Sequence, residues 1–270
     1  MKLLQGDCIE EMARMDANSV DLTVTSPPYD NLRTYDGSLQ WNEGIWKQVL
    51  EGLHRVTKEG GVVVWVVGDA TIKGSETGTS FKQALYAMEC GFNLHDTMIY
   101  EKDQLSFPTS NRYYPSFEYM FVLSKSKPNT FNPIKDRINK TAGRAVDPSG
   151  CRNVDGTKQK MKSCHGNVTK SHGVRWNRWL MYNNSRGQHS DHPATFPEQL
   201  AHDHIISWSN EGDKVFDPFM GSGTTGKMAK QLNRNFIGIE KVEKYYTISK
   251  ARIEAEQNRE PEEPDQKELF

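Results

Sequence analysis

The sequence predicts an α/β fold, a doubly wound sheet carrying one long basic insertion. Three observations predict it. Short apolar runs of the kind that form buried strands alternate with stretches of helical spacing. A strand, a glycine-rich turn and a helix follow one another over residues 215–232. Residues 126–190 lose periodicity, are rich in Gly, Asn, Lys and Arg, and interrupt the pattern. A chain of 270 residues has room for one α/β core and a smaller second region.

The elements follow in order. Residues 2–6 and 20–24 read as strands, with a short helix at Ile9–Met15 between them. Residues 41–58 place Ile45, Val49, Leu53 and Val56 on one helical face, and Gly60-Gly61 is expected to stop that helix. Residues 62–67, five valines and Trp65, form a strand buried on both faces, ending at Gly68-Asp69. Ser80–Cys90 reads as a helix with Gly91 at its C′ position. Asn93–Lys102 and Phe117–Ser124 read as an antiparallel strand pair at the edge of the sheet. Pro197–Ser209 is helical, with Pro197 tolerated in the first turn, and Val242–Glu256 is the last helix.

Composition narrows the class. No apolar run approaches the roughly 20 residues that span a bilayer, and the N-terminus carries no secretory h-region. Four cysteines, Cys8, Cys90, Cys151 and Cys164, make no disulfide framework, so a reducing cytoplasm is expected. Cys151, Cys164, His165 and His172 match no common zinc spacing, and no metal is expected. Net charge is −1, yet residues 125–186 hold 14 Lys and Arg against 3 Asp. Basic charge gathered in one segment is an electrostatic footprint for a phosphate backbone; a solvated, flexible insertion is the plainer alternative.

Two motifs carry chemistry. Thr25-Ser26-Pro27-Pro28-Tyr29 follows the run Val20–Val24. Two prolines fix φ and donate no hydrogen, so the carbonyls of Ser26 and Pro27 can be aimed outward as acceptors. The Ser26 hydroxyl adds a polar atom and Tyr29 a flat face, a set suited to a planar ring with an exocyclic amino group. The alternative is an ordinary Pro-Pro turn. The second motif is Val215-Phe216-Asp217-Pro218-Phe219-Met220-Gly221-Ser222-Gly223-Thr224-Thr225-Gly226, followed by the strand Asn235–Ile239 that ends on Glu240. A glycine turn with an acidic residue about 20 positions on is a nucleotide-type fingerprint. Its spacing departs from G-x-G-x-x-G and no phosphate loop exists, so the ligand is a nucleoside without pyrophosphate, pointing to S-adenosylmethionine (SAM). Gly221 and Gly223 are expected to let backbone approach that ligand.

These motifs resemble the amino-group DNA methyltransferases, which modify cytosine N4 or adenine N6. The resemblance spans most of the chain. Gly6–Glu10 is similar to the family's adenine-contacting segment, and His192-Pro193-Ala194-Thr195-Phe196-Pro197 to the segment closing over the cofactor's methionine part. The catalytic motif precedes the SAM motif, the order of the circularly permuted β class. The resemblance implies a Rossmann-like SAM-dependent methyltransferase fold with a catalytic core over 1–125 and 191–256. It also implies a target-recognition region over 126–190 and an acidic flexible tail over 257–270.

The implied residues are these. Ser26, Pro27, Pro28 and Tyr29 bind the target amino group and stack on its base. Asp7, Cys8 and Phe196 contact the cofactor, as do Asp217, Pro218, Phe219, Gly221, Ser222, Gly223, Thr224 and Thr225, with Glu240 on the ribose. In His172–Trp179 basic and amide side chains alternate with aromatics; Arg175, Asn177 and Arg178 are expected to contact double-stranded DNA, while Trp176 and Trp179 anchor the insertion. Ser in the first motif position resembles the cytosine-N4 enzymes, Asp the adenine-N6 enzymes, so Ser26 favours cytosine. The rival readings are an adenine-N6 enzyme, an RNA or protein methylase and a DNA-binding module without catalysis. The β class often dimerises. Gln266-Lys267-Glu268-Leu269-Phe270 resembles the Gln-x-x-Leu-Phe peptides that dock on the replication sliding clamp.

Overall fold

Thr57–Val67 shows in one strand why the molecule is layered. Val62, Val64 and Val66 enter one hydrophobic cluster, and Val63, Trp65 and Val67 the other. Side chains of a strand alternate between faces, so a strand apolar throughout needs cover on both. The computed structural model describes residues 1–28, 41–103, 111–145, 155–157, 167–181 and 196–256. Tyr29, the segment 192–195 and the tail with Gln266–Phe270 lie outside the described residues.

The chain divides into two compact units, Met1–Asn132 with Asn177–Phe270, and Pro133–Trp176. The larger unit runs β1 (Lys2–Gln5), α1 (Cys8–Ala13), β2 (Val20–Thr25), α2 (Glu43–Val56) and β3 (Thr57–Val67). A small hairpin of β4 (Thr71–Ile72) and β5 (Ser75–Glu76) precedes α3 (Thr79–Glu89), β6 (Asn93–Lys102) and β7 (Phe117–Ser124). In the smaller unit, β8 (Arg137–Ile138) pairs antiparallel with β9 (His172–Gly173). The larger unit resumes with β10 (Arg178–Met181), α4 (Glu198–Trp208), β11 (Lys214–Asp217), α5 (Thr224–Gln231), β12 (Asn235–Glu240) and α6 (Glu243–Ala255).

Eight strands form one sheet in the order β1-β12-β11-β2-β3-β7-β6-β10. Only β7 runs against its neighbours. Met12, Trp46, Leu53 and Ala87, from α1, α2 and α3, pack on one face. Leu200, Ile205, Met228 and Ile253, from α4, α5 and α6, pack on the other. The sheet is therefore wound on both faces, as the alternating pattern predicts.

Two expectations are corrected. The helix after Asn42, whose side chain caps it by accepting from Ile45 N at 3.2 Å, ends at Val56 rather than at the glycines. Thr57 turns extended while its hydroxyl donates to Leu53 O at 2.7 Å, and Lys125 Nζ donates to His54 O at 3.1 Å. Gly60 lies within β3 at φ +76°, where a Cβ would collide with the Asn129 side chain. The antiparallel pair β6–β7 occupies the expected residues but is not the edge. Beyond it lies β10, parallel to β6, with Trp179 and Met181 buried. Its alternation is only four residues long and sits inside the basic stretch, which hides it. The smaller unit is accordingly narrower than 126–190: residues 126–132 and 177–181 belong to the core.

Candidate active site

The winding of the sheet reverses between β11 and β2. From β11 the chain passes through α5 to β12 on one side; from β2 it passes through α2 to β3 on the other. The crevice at the carboxyl ends of two such strands is where open α/β sheets bind ligands. Both motifs lie there. Ser26-Pro27-Pro28 leaves β2 and Pro218–Gly223 leaves β11. Pro27 is buried; Ser26 and Pro28 are half-buried.

Two hydrogen bonds fasten the strand ends to each other. Thr25 Oγ1 donates to Asp217 Oδ1 at 2.7 Å, and Thr225 Oγ1 donates to Val24 O at 3.1 Å. Asp217 is 2% exposed and also accepts from Phe219 N at 3.0 Å, so it orients the glycine turn from below. Burial pushes its carboxyl up to about 6; the Thr25 and Phe219 donors oppose that rise, and the charge of Glu240 adds to it.

Glu240 ends β12 and reaches the same turn. Its Oε2 accepts from Gly221 N and its Oε1 from Val242 N, both at 2.8 Å. Burial raises its pKa. Each carboxylate oxygen retains a second lone pair, so a rigidly aimed acceptor is still available to hydroxyl donors.

Gly223 departs from the expectation. It adopts φ +84° at the start of α5, and a Cβ there would come within 2.9 Å of Ser249 Cβ on α6. Its lack of a side chain serves the left-handed turn and the packing of α5 against α6. Ser222 is held from behind. Arg252 Nη1 donates to Ser222 O at 2.6 Å and to its Oγ at 2.9 Å, while Nη2 reaches Glu198 Oε1 at 3.0 Å. Lys227 Nζ bonds both Glu198 oxygens, at 2.8 and 2.9 Å. Arg252, Lys227 and Glu198 thus tie the turn to the start of α4, and no local pattern in the sequence marks them.

On the far side of Glu240, Gly6 N donates to the Glu240 backbone oxygen at 3.0 Å, which brings the Gly6–Cys8 turn alongside. Asp7 caps α1 by accepting from Ile9 N at 2.9 Å, and its Oδ2 lies 3.2 Å from Lys241 Nζ. Burial, with the Asp7 charge adding, pushes the Cys8 thiol up to about 12, so it is a protonated apolar neighbour rather than a nucleophile. Phe219 meets Trp41 edge-on at 5.5 Å and Trp65 at 6.3 Å, and Phe196 packs on the core beneath α4.

The three residues expected on DNA have these partners in the structure. Arg175 Nε donates to Asp136 Oδ2 at 2.8 Å within the smaller unit. Asn177 belongs to the larger unit, where its Nδ2 bonds Asp96 Oδ1 and Thr97 O, each at 3.3 Å, and its backbone oxygen accepts from Ile99 N. Arg178 heads β10 and pairs with Glu101 at 3.3 Å, its side chain 72% exposed. Trp179 is buried in the core as expected; Trp176 is 66% exposed.

The donors and acceptors at the crevice fit SAM. Asp217 and Glu240 are close enough for the charge of one to raise the pKa of the other, a poor setting for a pyrophosphate and a good one for ribose hydroxyls. The family model for DNA methylases acting on N6 or N4 amino groups matches residues 20–251. The chain belongs to this family. A curated relative, the orphan methyltransferase M.BamHII of Bacillus amyloliquefaciens, is 54% identical over 259 residues, covering 94% of this chain and 92% of its own. Among solved structures, the cytosine-N4-specific PvuII DNA methyltransferase aligns with a TM-score of 0.68 at 21% identity, covering 93% of this chain and 85% of its own. The M1.HpyAVI–SAM complex aligns with a TM-score of 0.58 at 21% identity, covering 93% and 98%. The protein is thus a DNA amino-methyltransferase with SAM as its cofactor.

Proposed function

We propose that this DNA methyltransferase modifies the N4 amino group of cytosine, in a base flipped out of the duplex held by the basic smaller unit. The observation that supports the reading is the Thr25–Asp217 hydrogen bond, 2.7 Å long, which joins the end of β2, just before Ser26, to the end of β11, just before the glycine turn. Ser rather than Asp in that position favours cytosine.

The residues act as follows. Glu240 accepts from the ribose hydroxyls; Asp7 and Cys8 flank the adenine edge; Phe219 packs near the adenosine, and Phe196 supports the methionine side. Asp217, Pro218, Gly221, Ser222, Gly223, Thr224 and Thr225 shape the turn. An exocyclic amino nitrogen is a poor nucleophile because its lone pair is delocalised into the ring. The Ser26 hydroxyl and the carbonyls of Ser26 and Pro27 bond its hydrogens, favour a pyramidal nitrogen and aim the lone pair. When bound, SAM would supply a methyl carried on a sulfonium, and these acceptors would hold the amino nitrogen with its lone pair toward that methyl. Flipping costs a few kcal/mol, and stacking on Tyr29 offsets about 1–3 kcal/mol of it.

Mass spectrometry of nucleosides from DNA treated with the purified chain and SAM tests the reading. N4-methylcytosine is the expected product; N6-methyladenine overturns the choice of base.

A further inference from the structure

The smaller unit contains a two-stranded ribbon that the sequence does not announce. Arg175 N donates to Ile134 O at 2.9 Å, β8 pairs with β9, and Asn139 N donates to Ser171 O at 2.8 Å. Gly143 N donates to Thr169 O at 2.9 Å, and Ala145 bridges Val168. Residues 133–176 hold 10 Lys and Arg against 3 Asp, so the unit carries a formal charge of +7 in a chain of net charge −1. A two-stranded ribbon fits the major groove of B-form DNA.

One side chain on this ribbon is held in place with unusual care. The guanidinium of Arg137 lies over the Trp176 ring, 4.4 Å from its centroid. Its Nε donates to Val174 O at 2.9 Å. Its cross-strand neighbour is Gly173, and a Cβ at that position would collide with Arg137 Nη2. An indole face and a backbone carbonyl therefore hold the guanidinium in room that Gly173 leaves for it, and the Nε bond does not engage its two terminal nitrogens. The arrangement sits on an exposed surface, since Trp176 is 66% exposed and its neighbours on the ribbon, Ile138 and Val174, are exposed as well.

A phosphate needs only a nearby positive charge. A guanidinium held in one orientation before binding is suited to a partner with two acceptors in fixed geometry, and on DNA that is the O6/N7 edge of guanine. We propose that Arg137, positioned by Trp176 and Gly173, reads a guanine in the target sequence from the major groove. The inference rests on the reading that the smaller unit holds the duplex, and it replaces Arg175, whose Nε is committed to Asp136.

Selection from a random duplex library by the full chain, with S-adenosylhomocysteine present, reads sequence preference without requiring methyl transfer. The wild type is expected to enrich a motif containing a guanine. Arg137→Ala is expected to relax preference at that one position by about 5- to 150-fold, leaving the others in place. Arg137→Lys keeps the charge and is expected to relax the same position. Gly173→Ala removes no polar group, displaces the guanidinium, and is expected to phenocopy it; SAM affinity and melting temperature of each variant report folding. A uniform loss across all sequences, with the salt slope reduced by about one, makes Arg137 a phosphate contact and overturns the proposal. Unchanged preference in Gly173→Ala and Arg137→Ala, or a wild type that enriches no motif, overturns it as well. The nucleoside product decides the assignment of Ser26 separately.

Discussion

The crevice at the ends of β2, β11 and β12 and the ribbon of residues 134–175 use charge in opposite ways. In the crevice two carboxylates, buried Asp217 and half-buried Glu240, accept from backbone or hydroxyl donors: Asp217 from Thr25 and Phe219, Glu240 from Gly221 and Val242. Residues 133–176 hold 10 Lys and Arg against 3 Asp, and half-buried Arg137 is held by the Trp176 ring and the Val174 carbonyl. The difference separates two tasks. A cofactor is the same molecule in every turnover and rewards a rigid site, whereas a long charged polymer rewards an exposed surface with a few oriented groups. Changes in the crevice should therefore alter stability and cofactor handling, and changes on the outer surfaces should alter which DNA is chosen, or nothing.

The largest effect is expected from the buried carboxylate. Asp217 titrates near 3.8 when unfolded and near 6 when folded. The folded chain thus binds its proton more tightly, so the stabilising contribution is complete below 3.8 and is lost as pH rises through 6. Each pH unit is worth about 1.4 kcal/mol, which makes the loss on the order of 3 kcal/mol. Asp217→Asn keeps an oxygen for Thr25 and Phe219 and removes that loss. About 1.4 kcal/mol of that loss falls between pH 5 and pH 7.5, so urea midpoints at those two values should converge in the variant relative to the wild type; an unchanged difference would show that the carboxyl titrates normally.

Thr25→Val removes a buried donor and leaves Asp217 short of a partner, an expected cost of about 1–3 kcal/mol in chemical unfolding. It should also weaken SAM binding, because the same bond joins the two motifs. Tyr29→Ala is expected to lower single-turnover methylation by about 5- to 150-fold while SAM affinity stays near wild type. Unchanged turnover would remove Tyr29 from the base site. The smallest effect is expected at Arg178, whose exposed pair with Glu101 should be worth about 0–1 kcal/mol. Arg178→Ala should leave both the melting temperature and the enriched DNA motif intact, and a lost motif position would extend the reading surface to β10.

What the sequence shows and what it hides divide along the same line. Local signals carried most of the sheet: the segments Asn93–Lys102 and Phe117–Ser124 fall on the residues where the strands lie, and the proline corner and glycine turn follow the ends of β2 and β11. Pairings between distant residues were not legible. Thr25 and Asp217 are 192 positions apart, and Arg252 reaches Ser222 and Glu198 from a helix with no motif of its own. The packing of Gly223 against Ser249 was equally hidden, because Ser249 lies in another helix. The ribbon escaped notice because its two strands are short and separated by more than twenty residues, so neither shows a period. The boundary of the larger unit just before Asn177 was hidden as well, because Asn177 and Arg178 adjoin a basic segment.

The claim on which the rest depends is that the cofactor sits at the switch point, with its ribose on Glu240. Titration calorimetry of SAM into Glu240→Ala at neutral pH tests it most directly. Loss of two hydrogen bonds to a charged acceptor, at about 1.5–3 kcal/mol each, predicts an affinity at least about 100-fold weaker than wild type. Near-normal affinity in a folded Glu240→Ala protein would contradict the placement of the cofactor.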